Sequence, residues 1–423
     1  MAGAGATILL TFATTATLFR ERGFAAGSRG VALFALPPAA ISLVRLLAAL
    51  VFALTLGAGF FGVQDPYRNL ITTMVWVVWW VGFAFVCALA GDLWALLSPF
   101  RLPVKEARLA YPARLGAWPA AALFLGFAWA ELVWRDNDVP AYLATAVLGY
   151  ALLTWAAMLL FGREQWLRSG EAFAIAFGVL GRFAPLYARD GRLHLRWPGA
   201  GLLEDQPVHP SLAVFVLLML ASVSFDGFLE TPLMRDLETA VQASPALAAA
   251  LYRLSELGLD ESQLVATAAL LAFAAAFVAA FWLAAWAMVR LSGSNLPVRD
   301  AACAFVLTLV PIAVAYHLAH YFSLLLSAGQ FIIPLASDPF GFGWDLFGTA
   351  GYKVDLGIVS PYVFWYGAVT LIVAGHVIAV LLAHAAAVRR FGAQATRGEV
   401  PMVALMVGYT MASLWILAQP VVG

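Results

Sequence analysis

Residues 70–91, "LITTMVWVVWWVGFAFVCALAG", decide the fold. No charged side chain interrupts the run between Arg68 and Asp92. At about 1.5 Å per residue such a stretch is roughly 33 Å long as a helix, enough to cross the ~30 Å hydrocarbon core of a bilayer. The rest of the 423-residue chain has the same character, with 63% hydrophobic and only 11% charged residues and a mean hydropathy of +0.88. A soluble domain is about half apolar and a quarter charged. The reading is therefore an all-α polytopic transmembrane bundle, a single integral membrane domain over residues 1–423. The formal net charge is zero, 24 basic against 24 acidic residues, which argues against a nucleic-acid partner. Cys87 and Cys303 are the only cysteines and both lie in apolar runs. Two such thiols make neither a disulfide scaffold nor a thiolate metal site.

Ten runs have the length and composition of spans, near residues 4–19, 42–62, 70–98, 117–134, 140–161, 211–228, 264–290, 300–327, 361–388 and 401–420. The first lacks the basic start and small-residue cleavage site of a secretory signal, so it is read as a short span. "EAFAIAFGVLGRFAPL", residues 171–186, is too short to cross and carries Arg182 and Pro185. It reads as a re-entrant or interfacial half-helix, because broken backbone pairing is tolerated only where protein covers it. Basic residues set the orientation. With the N-terminus outside, 18 Lys and Arg fall in inner segments and five in outer ones, Arg45 lying within a span. Ten crossings then return the C-terminus to the outside. The expected location is the cell inner membrane, multi-pass, with both termini outside and the lipid bilayer as partner. Two outer segments are long enough to have structure of their own. Residues 229–262 read as short amphipathic helices over the outer mouth, and residues 335–360, rich in Gly, aromatics and Asp, as a folded lid or binding loop.

Ionisable groups inside spans are costly there and mark functional sites. In "AYHLAHYFSLLL", residues 315–326, His317 and His320 sit three apart and share a helix face. "SVSFDGFLE" places Asp226 at the outer end of the sixth run, and "AGHVIAVLLAH" carries His376 and His384 on the ninth. His317, His320, His376 and Asp226 form the candidate metal site. His384, about 12 Å further inward, is left out of it. The competing reading is packing, each imidazole donating to a carbonyl or to Tyr316, Tyr321 or Tyr366. His194 and His209 are expected in a solvated inner segment, with Asp92, Glu131, Arg45 and Arg182 as structural pairs or anchors.

Two or three imidazoles with a carboxylate suit a divalent transition metal (zinc, iron or copper) and leave room for a water acidified enough to attack an ester. Haem fits less well, since its axial ligands come from two helices at matched depth. The other class is a non-catalytic ion, proton, haem or electron carrier, its path continuing inward past His384 and Asp92. No Walker loop, nucleophile elbow or HExxH occurs in the chain, which removes ATP-driven pumping by this chain and the common soluble hydrolase chemistries.

Residues 69–101, together with "GRFAPL", "SVSFDGFLETP", "AYHLAHYFSLLL", "GHVIAVLLAH" and "MVGYTMASLWILAQP", resemble bacterial polytopic membrane proteins labelled fenitrothion hydrolase, from about residue 64 to the C-terminus. The chain departs from that pattern at Ser98, Pro99 and Phe100, where the family has Asn-Pro-Trp. The resemblance implies a helical membrane fold and hydrolysis of lipid-soluble, phosphotriester-like small molecules. It assigns no catalytic residues.

Overall fold

The computed structural model describes residues 2–18, 30–35, 37–101, 107–203, 208–256 and 260–419. Arg20, Arg22, Arg29 and Lys105 of the inner basic set lie outside the described residues. The fold is the expected helical membrane bundle, and each apolar run is helical. The elements are α1 (Ala2–Leu18), α2 (Pro38–Phe61), α3 (Leu70–Ala90), α4 (Trp118–Leu132), α5 (Pro140–Phe161), α6 (Ala172–Phe183), α7 (Pro210–Leu229), α8 (Pro232–Ala243), α9 (Pro245–Ser255), α10 (Glu261–Ser292), α11 (Val298–Ser337), α12 (Pro361–Phe391) and α13 (Ala395–Leu417). Among the described residues seven helical stretches are long and apolar enough to cross a membrane; the last, Pro361–Leu417, comprises α12 and α13. The two fold back at Gly392, whose φ of +54° suits a residue without a Cβ. Helices α8 and α9 appear where the amphipathic pattern places them. Residues 338–360 form a looped segment whose turns are held by Asp338, Asp345 and Ser337.

Inter-helix segments gather at two poles of the bundle. At one, Val63 N–H donates to the Phe340 carbonyl (2.9 Å), Ala141 N–H to the Gln64 side chain (2.9 Å), and Arg135 pairs with Asp260 (2.7 Å). At the other, Arg108 N–H donates to the Leu160 carbonyl (2.9 Å) and Arg389 to the Leu203 carbonyl (2.7 Å).

A small antiparallel sheet at the second pole is an addition to the all-α expectation. Strands β1 (Val31–Ala35), β2 (Leu186–Arg189) and β3 (Arg192–Leu195) pair in the order β1-β3-β2. Asp190 and Gly191, both at positive φ (52° and 72°), make the two-residue hairpin turn between β2 and β3. His194 therefore lies on a strand stacked on Tyr187. His209 is not merely solvated either: it caps α7, its Nδ1 accepting from Ser211 N–H.

The half-helix α6 is buried rather than surface-lying. Glu171 caps it by accepting from Phe173 and Ala174 N–H, and also accepts from Tyr150 and Trp94. Tyr150 stands eleven residues from the end of α5, so the cap lies roughly 16 Å in from the second pole. The chain returns to that pole along α6, where buried Arg196 donates to the end carbonyls of Gly181 (3.2 Å), Arg182 (3.0 Å) and Ala184 (3.3 Å). These bonds satisfy carbonyls that a helix end leaves without partners.

Candidate functional site

Three helices bring the centre together. The α11 helix is broken by a 3-10 turn at Val306–Leu309 just before Pro311, which has no N–H to offer. Its next segment, Val310–Ser327, carries Tyr316, His317, His320 and Tyr321. Facing it, α7 ends on Asp226 and Gly227. A Cβ on Gly227 would stand 3.0 Å from the Tyr316 hydroxyl, 3.4 Å from His320 Cε1 and 2.6 Å from Ile416 Cγ2. The missing side chain is what lets α7 and α11 close with Asp226 against His320. The third wall is α3, which winds as a π-helix from Thr73 to Gly82. π-Helical turns are rare and recur at functional sites. Trp80, within it, packs edge-on against His317 with ring centroids 5.8 Å apart.

Asp226 Oδ2 is the focus. It accepts from His320 Nε2 at 2.9 Å and from the Tyr321 hydroxyl at 2.7 Å. The side chains of Asp226 and His320 remain 25% and 19% exposed. Around them stand polar groups with nothing to bond: His317 Nε2, the Tyr316 hydroxyl and Trp80 Nε1 are all buried without partners. The His317 ring lies against the backbone of Val81 and edge-on to Tyr321, with centroids 4.8 Å apart. Glu131 of α4 is close enough to interact electrostatically with Asp226. Trp80 turns toward that carboxyl without reaching hydrogen-bond geometry.

His317, His320 and Asp226 thus come together on one side of the bundle, but His376 takes another place. Its neighbour Gly375 is a close approach of α12 to α11, where an added Cβ would meet Ala315 Cβ and the Pro311 carbonyl. His376 is therefore level with Pro311–Ala315, inward of His320, and its Nδ1 donates to the Ile372 carbonyl of its own helix (2.8 Å). A carbonyl can only accept, so the proton is on Nδ1 and the unpartnered Nε2 carries a lone pair. Among the described residues no group of three or more His, Cys, Asp or Glu is placed to hold a metal ion.

The sequence reading passes over a second acid–histidine pair. His384 Nδ1 donates to Glu399 Oε1 at 2.8 Å, and the two side chains are only 5% and 1% exposed. Glu399 Oε2 has no partner. Pro401 conceals this residue in the sequence, because a proline commonly opens a helix. Here α13 begins six residues earlier and carries Pro401 in its interior, drawing Glu399 into the bundle. Asp92 is held locally, accepting from Ala95 N–H at 3.0 Å. The chain matches none of the family models, curated proteins or solved structures with which it was compared.

Proposed function

We propose that the chain crosses the cell inner membrane ten times with both termini outside, and that it handles protons, or a small cation in their place, at the Asp226–His320 centre. The observation that carries this reading is the Asp226 carboxylate, shared by an imidazole N–H and a phenol within an apolar bundle. A carboxylate and an imidazole in contact exchange one proton without changing their combined charge. Gaining or losing a further proton creates net charge in a medium of low dielectric, which couples protonation to whatever compensates it. His376, with a free lone pair, supplies a further acceptor along α12. In liposomes loaded with a pH-sensitive dye, the wild-type protein is expected to carry protons down an imposed potential, and Asp226→Asn to lower the rate at least about tenfold, the scale of losing one charge-assisted hydrogen bond. Wild-type liposomes that behave as empty ones sink the reading.

The buried, unpartnered Nε2 of His317 beside this centre favours a second reading. In it His317 and His320, with Asp226, hold zinc, iron or copper, and the protein hydrolyses phosphotriester-like substrates as the family resemblance implies. A bound metal would supply an acidified water. The four groups do not converge as they stand, His376 least of all, so no step is assigned to them. Elemental analysis of purified protein separates the readings: one metal per chain, lost in His317→Ala, supports the second, and none supports the first.

A further inference from the structure

A cavity of about 770 Å³ lies between α2, α3, α4 and α5, on the far side of the π-helix from the acid–histidine centre. Its volume is within the range of small-molecule sites. We propose that it binds one hydrocarbon chain of a bilayer lipid, drawn in sideways from the membrane core.

The walls show how the space arises. The α2 helix touches the bundle near its outer end, where Gly59 faces Ala144 and Ile71, and again where Phe52 meets Phe100 edge-on at 5.7 Å. Its residues Val44, Leu47, Ala48, Val51, Phe52 and Thr55 form one wall of the cavity. On α4, Ala122, Gly126 and Ala130 recur every four residues along the cavity, and on α5 Ala146 and Gly149 do the same service. Neither Gly126 nor Gly149 has any atom within 4 Å of where a Cβ would sit. A larger side chain at either would fill the cavity without a clash, so the void is set by residue choice and not by crowding.

The chemistry of the wall identifies the occupant. Its polar groups are largely turned to other partners: Tyr150 and Trp94 bond to Glu171, Trp76 Nε1 donates to the Asn137 carbonyl (3.0 Å), and Thr55 donates back to Val51 (2.8 Å). Trp79 Nε1, without a partner, is buried where its ring meets Phe127, Phe173 and Phe177. Leu47, Val51 and Leu153 both line the cavity and are exposed on the outer surface of the bundle. They mark its mouth, which opens at span mid-length, where lipid offers acyl chains and no headgroups. An apolar space of this size would be poor in bonds for water, whereas each methylene that enters gains burial and close contact with aromatic rings.

The test is native mass spectrometry of the full-length protein, reconstituted with a dibrominated phosphatidylcholine and then stripped with detergent. One brominated lipid per chain should survive on wild-type protein. Gly126→Leu with Gly149→Leu should weaken retention about a hundredfold, the worth of displacing three or four methylenes. A wild-type chain that keeps no lipid overturns the proposal whatever the variant does. Equal retention by a folded double variant overturns it too, by showing that the lipid sits elsewhere.

Discussion

The two acid–histidine pairs differ in what surrounds them. Asp226–His320 is partly exposed, has a tyrosine as second donor, and lies among polar atoms that lack partners. His384–Glu399 is sealed, with nothing but its own hydrogen bond to offset the loss of water. A closed pair must hold for the fold's sake, since breaking it strands a charge in low dielectric. A less deeply buried pair can change its protonation at less cost. The same two residue chemistries therefore lead to opposite expectations: stability rests on the inner pair, function on the outer one.

The largest expected effect is on the inner pair. His384→Ala leaves Glu399 buried without a donor and should destabilise the protein by about 3–5 kcal/mol, read as a fall in thermal unfolding midpoint in detergent. Asp226→Asn should cost less, about 1.5–3 kcal/mol, the value of hydrogen bonds to a charged group. If instead Asp226→Asn is the more damaging change, the contrast between the pairs is broken. Gly227→Ala sharpens it: the new methyl meets Ile416 and the Tyr316 hydroxyl, so about 1–3 kcal/mol of overpacking should accompany loss of outer-pair function, with the inner pair untouched. The smallest effect belongs to Asp260, at the start of α10. Bonds from Ser262, then Gln263 N–H and Arg135, hold its carboxyl below the usual carboxylate range. A depressed folded value means stability present above the unfolded value of about 4 and lost as pH falls through the folded one. Asp260→Ala should cost roughly 1 kcal/mol at pH 7 and nothing once acid has protonated the wild type. Unfolding curves at the two pH values check this.

Helix placement was legible because the signal is hydrophobic run length, and a run such as 70–91 has no other way to be satisfied. Asp226 with His320 was legible for the related reason that ionisable groups stand out in hydrocarbon. The π-helical winding of Thr73–Gly82 was not, since all its residues are apolar and hydrophobicity carries no record of the bond pattern. Nor was the depth of His376, which depends on where Gly375 meets Ala315. The hairpin at "RDGR" had its signal in Asp190–Gly191, masked by the all-helical expectation. Glu399 was hidden by taking Pro401 as a helix start.

The most direct test of the central claim is infrared difference spectroscopy of the lipid-reconstituted protein across a pH step. Proton handling at the outer pair predicts a carboxyl signal that is absent in Asp226→Asn and shifted in His320→Gln, with the Glu399 signal separate from both. Spectra of Asp226→Asn that superimpose on the wild type would contradict it and leave Asp226 as a structural partner of His320 and Tyr321.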